Sequence, residues 1–211
     1  PHSDWRSPQT YDRARELELS GLAWECLRRN PDYARDHRAL ARSKSDLVLV
    51  AALEGDGASA FAADPAGSSQ DQAIFWAPEV LPTIVPIVRS TSPSDGSVLS
   101  LAVMMSGDIG QSADGWHVLL RIRDAEHRLW LKQPPVADAC YAAELVLDGD
   151  FEIRSHAARR LWLALNGSPA GPTFHDLSPQ RRQRLALALR ALDARVEGNS
   201  YREIAEGLFG P

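Results

Sequence analysis

The chain has 211 residues, 44% of them hydrophobic and 24% charged, with a formal net charge of −5 at pH 7. These are ordinary globular proportions, and the length suffices for a core without staples; two distant cysteines, Cys26 and Cys140, exclude a disulfide scaffold and a CxxC zinc module. No apolar run reaches the ~20 residues of a membrane helix, and the first residues lack a signal pattern, so a soluble cytoplasmic chain with no membrane partner is expected.

In chain order, Ser7-Pro8 predicts a helix start, followed by Tyr11, Ala14, Leu17 and Leu19 on one face. Gly21 is read as an interruption. Leu22, Trp24, Cys26 and Leu27 then predict a short apolar helix ending at Arg28-Arg29-Asn30. Pro31 suits the first turn of another, with Tyr33, Ala34, His37, Leu40 and Ala41 as its stripe. Leu47–Leu53 reads as a strand or a continued helix. Residues 55–72 are rich in Gly, Ala, Ser and Asp and read as a loop or linker with a short apolar segment near Phe61.

The middle predicts β-structure. Ala73–Trp76 is one strand candidate. Pro78, Pro82 and Pro86 confine Leu81–Val88 to an edge strand or extended segment. Val98–Met104 is another strand candidate, and Gly107–Gly115 a loop. Trp116–Arg123 and His127–Leu131 flank Asp124-Ala125-Glu126 as a hairpin. Helix returns with Ile153, Ala157, Leu161 and Leu165, ending at Asn166-Gly167. After a Pro/Gly loop, Ser178-Pro179 opens a long helix whose apolar face is Leu185, Leu189, Leu192 and Val196. Asn199 or Ser200 caps a last helix, with Glu203 completing a capping box and Tyr201, Ile204, Ala205 and Leu208 as its core. The expected fold class is α+β: a small N-terminal helical domain (1–46), a central region of antiparallel β-hairpins or sheet (47–149), and a C-terminal helical, helix-turn-helix-like part (150–211).

Charge is unevenly spread. Residues 1–50 carry 9 basic and 8 acidic side chains, residues 51–149 carry 5 and 13, and residues 150–211 carry 9 and 7. The middle repels a polyanion and the ends do not. The basic residues are nearly all arginine, whose planar fork suits phosphate or carboxylate.

Nothing local points to catalysis. HExxH, GxSxG, GxxxxGK[ST] and GxGxxG are all absent. No two of the six histidines share a helix face; His117 and His127 read as exposed strand residues, and Cys26 as a buried structural thiol. The expectation is no enzyme, no metal and no cofactor.

The strongest local signal is Ser200-Tyr-Arg-Glu-Ile-Ala-Glu-Gly-Leu-Phe-Gly210. A capping box, a small Ala205, an anchoring Leu208 and a turn glycine form the first helix of a helix-turn-helix, preceded by a long packing helix; a generic αα-hairpin is the alternative. The candidate DNA-facing residues are Arg181, Arg182, Arg184, Arg190, Arg195, Tyr201 and Arg202, with Arg159 and Arg160 on the preceding helix; a solvated helix face is the competing explanation. Trp24, Arg28, Arg29 and Tyr33 are candidates for a partner or oligomer contact. Alternatively, Trp24, Leu27 and Tyr33 form a mini-core, and the two arginines complement the helix dipole.

Two segments carry a family resemblance. Asp4-Trp-Arg-Ser-Pro-Gln-Thr-Tyr11 and Ala23-Trp-Glu-Cys-Leu-Arg-Arg-Asn-Pro-Asp-Tyr33 resemble the N-terminal transcriptional-regulator-like domain of proteobacterial mobile-element proteins. Leu187-Ala-Leu-Arg-Ala-Leu-Asp-Ala-Arg195 through Gly210 resembles the RovC-like DNA-binding domain, with weaker matches at Phe75-Trp-Ala-Pro-Glu-Val-Leu-Pro82 and the 116–132 hairpin. The resemblance implies a transcriptional activator that binds promoter double-stranded DNA and controls type VI secretion or integrative-conjugative-element genes. It also implies a homo-oligomer, a hexamer being one form. Relatives continue past Leu-Phe-Gly into a basic helical end, so 150–211 reads as cut short before its recognition helix. The alternative function is a protein-interaction module or antiactivator that holds another regulator, motivated by the acidic middle and the absent recognition helix.

Overall fold

The computed structural model describes residues 4–42, 50–52, 59–61, 63–91, 99–112 and 114–210. Two 3-10 turns, Pro8–Tyr11 and Arg13–Arg15, precede α1 (Leu19–Leu27) and α2 (Pro31–Arg42). Next come β1 (Val50–Ala52), β2 (Ser59–Phe61), β3 (Val85–Arg89), α3 (Leu101–Met105), β4 (Asp108–Ser112), β5 (Gly115–Ile122), β6 (Ala125–Leu131) and β7 (Tyr141–Ala143). Then α4 (Phe151–Leu165), α5 (Pro179–Val196) and α6 (Tyr201–Phe209) complete an α+β chain. It divides into two compact units. The first holds Pro1–Asp36, Asp64–Gln72 and His175–Pro211; the second holds His37–Ala63 and Ala73–Phe174.

The first unit brings the two chain ends together. Trp5, Tyr11, Ala14 and Leu22 share a core with Ala186, Leu189, Ala194 and Ile204. The helix expected after Ser7-Pro8 is instead the pair of 3-10 turns. Each turn buries one residue, Tyr11 in the first and Ala14 in the second. Gly21 does not interrupt; it lies within α1. A Cβ there would sit 3.1 Å from the Ser69 hydroxyl oxygen and 3.3 Å from the Leu17 side chain, so it is a point of close approach. Trp24 stacks edge-on against Tyr33 at 5.5 Å between ring centroids, and its indole N–H donates to the Gly67 carbonyl at 3.1 Å. Cys26, expected buried, is exposed.

The long helix turns a different face inward from the one its leucines predict. Ala186, Leu189, Arg190 and Ala194 are buried, whereas Leu192 and Val196 are 37% and 58% exposed. Small alanines admit the N-terminal segment, and a buried arginine meets its carbonyls there. In α6 the capping box forms as expected: the Ser200 side chain accepts from the Glu203 N–H, and the Glu203 side chain accepts from the Ser200 N–H. Only Ile204 is fully buried; Leu208 is half-buried, and Tyr201 and Ala205 face solvent. Gly207 leaves the room Trp5 occupies, since a Cβ would lie 2.6 Å from the indole ring.

The second unit is built on a five-stranded sheet of order β4-β5-β6-β3-β7. The predicted β5–β6 hairpin is present, tightened to a two-residue turn, Arg123-Asp124, with Arg123 at φ 57°. β3 is interior, not an edge: it runs parallel to β6 and antiparallel to β7. Pro86 is tolerated because the β6 pairing spans two positions and its carbonyl accepts from the Glu144 N–H at 2.8 Å. The strand expected at Val98–Met104 is helix α3, capped by Ser100; residue 98 lies outside the described residues. The loop expected at 107–115 contains β4. The loop expected at 55–72 contains β2, which pairs with β1, the described part of Leu47–Leu53. Ala73–Trp76 forms no strand; it lays the buried Ile74 and Trp76 on the sheet, with Phe75 against Gly110. On one face, Ala157 and Leu161 of α4 join Val85, Ile87, Val118, Leu120, Leu129 and Leu131 in one core, as the helix stripe predicts.

His117 and His127 are 3% and 5% exposed, not surface residues. His117 pairs in register with Trp130 and His127 with Leu120, so they point to opposite sheet faces. Burial, reinforced by the Arg160 charge, pushes the His127 pKa from 6.5 down to about 4. Above pH 6.5 the imidazole is neutral in folded and unfolded chains alike. As pH falls from 6.5 towards 4, the unfolded chain takes up a proton that the folded chain refuses, so stability is lost across that window. His127→Leu should flatten the fall of melting temperature between pH 7 and 4.5; an unchanged slope would show that another group sets it.

Candidate nucleic-acid interface

In the first unit, arginines divide into those turned inward and those turned outward. Arg190 is 5% exposed; its Nε donates to the Trp5 carbonyl at 3.0 Å and a terminal nitrogen to the Arg6 carbonyl at 3.4 Å. Arg182 donates to the carbonyls of Leu17 and of Leu177, the latter at 3.0 Å, and pairs with Asp176 at 2.9 Å. Both were expected to face DNA. Both instead fasten the backbone of their own chain, because an irregular segment leaves carbonyls that only side-chain donors can satisfy.

Arg29 bridges α1 and α5, reaching Asp193 at 2.6 Å and Glu25 at 2.7 Å. Glu25 is 6% exposed and also holds Arg28 at 2.7 Å. The Tyr11 hydroxyl donates to Asp193. Burial, then the hydrogen bond to Asp193, pushes the Tyr11 phenol far above its ordinary range. For Arg29, burial disfavours the cation, but hydrogen bonds to Asp193 and Glu25 outweigh it and hold the charge firmly. Trp24 and Tyr33, at 0% and 1% exposure, are core residues, as in the mini-core alternative, rather than a contact surface. A buried cation that loses a carboxylate partner is costly. Asp193→Ala should therefore destabilise the protein by about 3 kcal/mol, read as a lowered urea midpoint; a loss below about 1 kcal/mol would assign the pair to solvent-screened behaviour.

The outward set lies on α5 and α6. The side chains of Arg181 and Arg184 are exposed, and their guanidinium groups have no hydrogen-bond or ion-pair partner among the described residues. Asp193 is the single acidic residue of α5, and it is committed to Arg29 and Tyr11. Arg202, 88% exposed, pairs with Glu206 one turn on at 2.9 Å. The α5–α6 turn is a Schellman closure: the N–H of Gly198, at φ 89°, donates to Arg195 and that of Asn199 to Ala194. Arg195 lies 5.3 Å from the Tyr201 ring centroid and donates to the Asn199 carbonyl at 3.3 Å. Sequence reasoning missed Arg6, which stacks on Trp5 at 4.4 Å and donates to the Asn199 side-chain oxygen at 3.3 Å. The adjacency Trp5-Arg6 was its one signal. Arg159 and Arg160 belong to the second unit, where Arg159 is exposed and Arg160 donates to the Gly171 carbonyl at 3.2 Å.

Other polar clusters are structural. Ser112 and Asp114 both approach the same nitrogen of His117, at 3.2 and 3.4 Å, unlike a relay in which the nucleophile and the orienting carboxylate use opposite ring nitrogens of the histidine base. Among the described residues, no three His, Cys, Asp or Glu side chains gather as a metal site. No described helix is long and apolar enough to cross a membrane.

Residues 4–64 match the family described as proteobacterial transcriptional regulator-like domain. Residues 145–211 match the family described as T6SS, transcription factor, DNA binding domain. No curated protein and no solved structure matched the chain. The matched segments and the compact units do not coincide, because both matches contribute to the first unit. The chain carries a proteobacterial transcriptional regulator-like domain at its N-terminus and a RovC-type transcription-factor DNA-binding domain at its C-terminus.

Proposed function

We propose that this protein is a transcriptional activator that binds promoter double-stranded DNA through the outward face of α5 and the neighbouring end of α6. It acts by binding rather than catalysis, in the cytoplasm, on genes of type VI secretion or of integrative conjugative elements. The observation that carries the reading is the pair Arg181 and Arg184, whose exposed guanidinium groups have no partner among the described residues, on a helix whose single carboxylate faces the other way. Arg195, Tyr201 and Arg202 extend that surface. Such contacts attract the phosphate backbone and fix register without reading bases. Arg159, exposed on α4, is a further phosphate contact in this reading.

The Arg181→Ala/Arg184→Ala double variant should remain folded. Its log-affinity for duplex should depend on log[salt] with a slope shallower by about 2, one for each contact. Unchanged affinity and slope would refute the DNA-facing role of α5.

A second reading has its own observation. Leu192, Val196, Tyr201 and Phe209 are 37%, 58%, 79% and 75% exposed in the first unit. Exposed apolar side chains of this kind suit a protein partner, another regulator or a second copy of the chain. This reading predicts a stable complex formed without DNA.

A further inference from the structure

Two guanidinium groups converge on the α5–α6 turn from opposite ends of the chain. Arg6 and Arg195 each donate to Asn199 at 3.3 Å, one to its side-chain oxygen and the other to its backbone carbonyl. Each is also laid against an aromatic ring, Arg6 on Trp5 and Arg195 on Tyr201. Trp5 is itself immobilised, 1% exposed and seated against Gly207. Neither guanidinium makes an ion pair among the described residues, although both are exposed. The adjacent carboxylates are hydrogen-bonded to other groups, although the Arg6 charge also acts on Glu203. Asp4 accepts from the Arg6 backbone N–H at 3.1 Å, and Glu203 accepts from the Ser200 N–H and hydroxyl at 2.7 Å.

An arginine stacked on a ring has surrendered much of its side-chain freedom before any ligand arrives, and its planar fork keeps spare N–H donors. Two such forks beside one turn form a fixed anion seat. The matching chemistry on a duplex is a phosphodiester, which carries one negative charge and accepts hydrogen bonds at its free oxygens. We propose that Arg6 and Arg195 form a clamp for a single backbone phosphate of duplex DNA, so that the N-terminal regulator-like segment touches the nucleic acid directly. This rests on the DNA-binding reading of the first unit and adds to it a residue from outside the DNA-binding domain.

The test compares duplex binding by Arg6→Ala, Arg195→Ala and the double variant with Arg13→Ala. Arg13 is exposed on the same N-terminal segment, where its charge acts on Asp71, so it controls for loss of one cation. Melting temperatures verify that each variant is folded. Arg6→Ala should weaken binding about tenfold, the loss expected of one charge-assisted contact. The double variant should lower the salt slope by about 1, the value for one shared phosphate, rather than by 2. Arg6→Ala binding no weaker than Arg13→Ala, or an unaltered slope in the double variant, overturns the clamp. If the wild-type protein binds no duplex at all, the α5 reading fails separately, and the clamp is judged by titration with inorganic phosphate. Joint displacement of the Arg6 and Arg195 Nε–H resonances then supports it, and their immobility overturns it.

Discussion

The first unit depends on burying arginine cations against an N-terminal segment that lacks regular hydrogen bonding. Residues 4–18 contain two 3-10 turns and extended stretches, so the carbonyls of Trp5, Arg6 and Leu17 have no helical N–H to accept from. Unsatisfied buried carbonyls are costly, and so are unpaired buried cations. Arg182 and Arg190 answer both costs at once, and Arg29 does the same between two carboxylates. Alanines 14, 186 and 194 supply close approach, while Trp5, Tyr11, Leu22, Leu189 and Ile204 supply most of the apolar area.

That arrangement gives the arginine-rich composition two jobs on one helix. The inward side of α5 is spent on its own chain, and the outward side is left to solvent and ligand. The two sides carry the same residue type but differ in environment, so in the proposed reading substitution at Arg190 or Arg182 would act on folding and substitution at Arg181 or Arg184 on association. It also removes the picture of the N-terminal segment as a freestanding module. Trp5 and Tyr11 complete the core on which α5 and α6 rest.

The features that sequence made legible are those determined within a few residues. The Ser200–Glu203 capping box, the β5–β6 hairpin and the α4 stripe through Ala157 and Leu161 are local, and all are present. Their patterns follow from neighbour-to-neighbour physics and need no knowledge of the rest of the chain. What was illegible depends on partners far away. Arg190 meets Trp5 across 185 positions, and Arg29 meets Asp193 across 164. No periodicity announces such a pair, and a leucine stripe on α5 argued for a different buried face. β3 was demoted by Pro86, although its position between β6 and β7 is decided by long-range pairing. Of the candidate DNA-facing residues, exposure separates Arg159, Arg181, Arg184, Arg195, Tyr201 and Arg202 from the rest, and Arg6 becomes visible only through its neighbours in space.

The central claim is that one unit, assembled from both chain ends, presents the outward face of α5 to duplex DNA while its inward arginines stay fixed. Arginine-resolved NMR during titration with duplex measures this directly. The account predicts that the Nε–H signals of Arg181, Arg184 and Arg195 shift with added duplex while those of Arg182 and Arg190 hold still. Shifts confined to the second unit, or centred on Arg182 and Arg190, would contradict it.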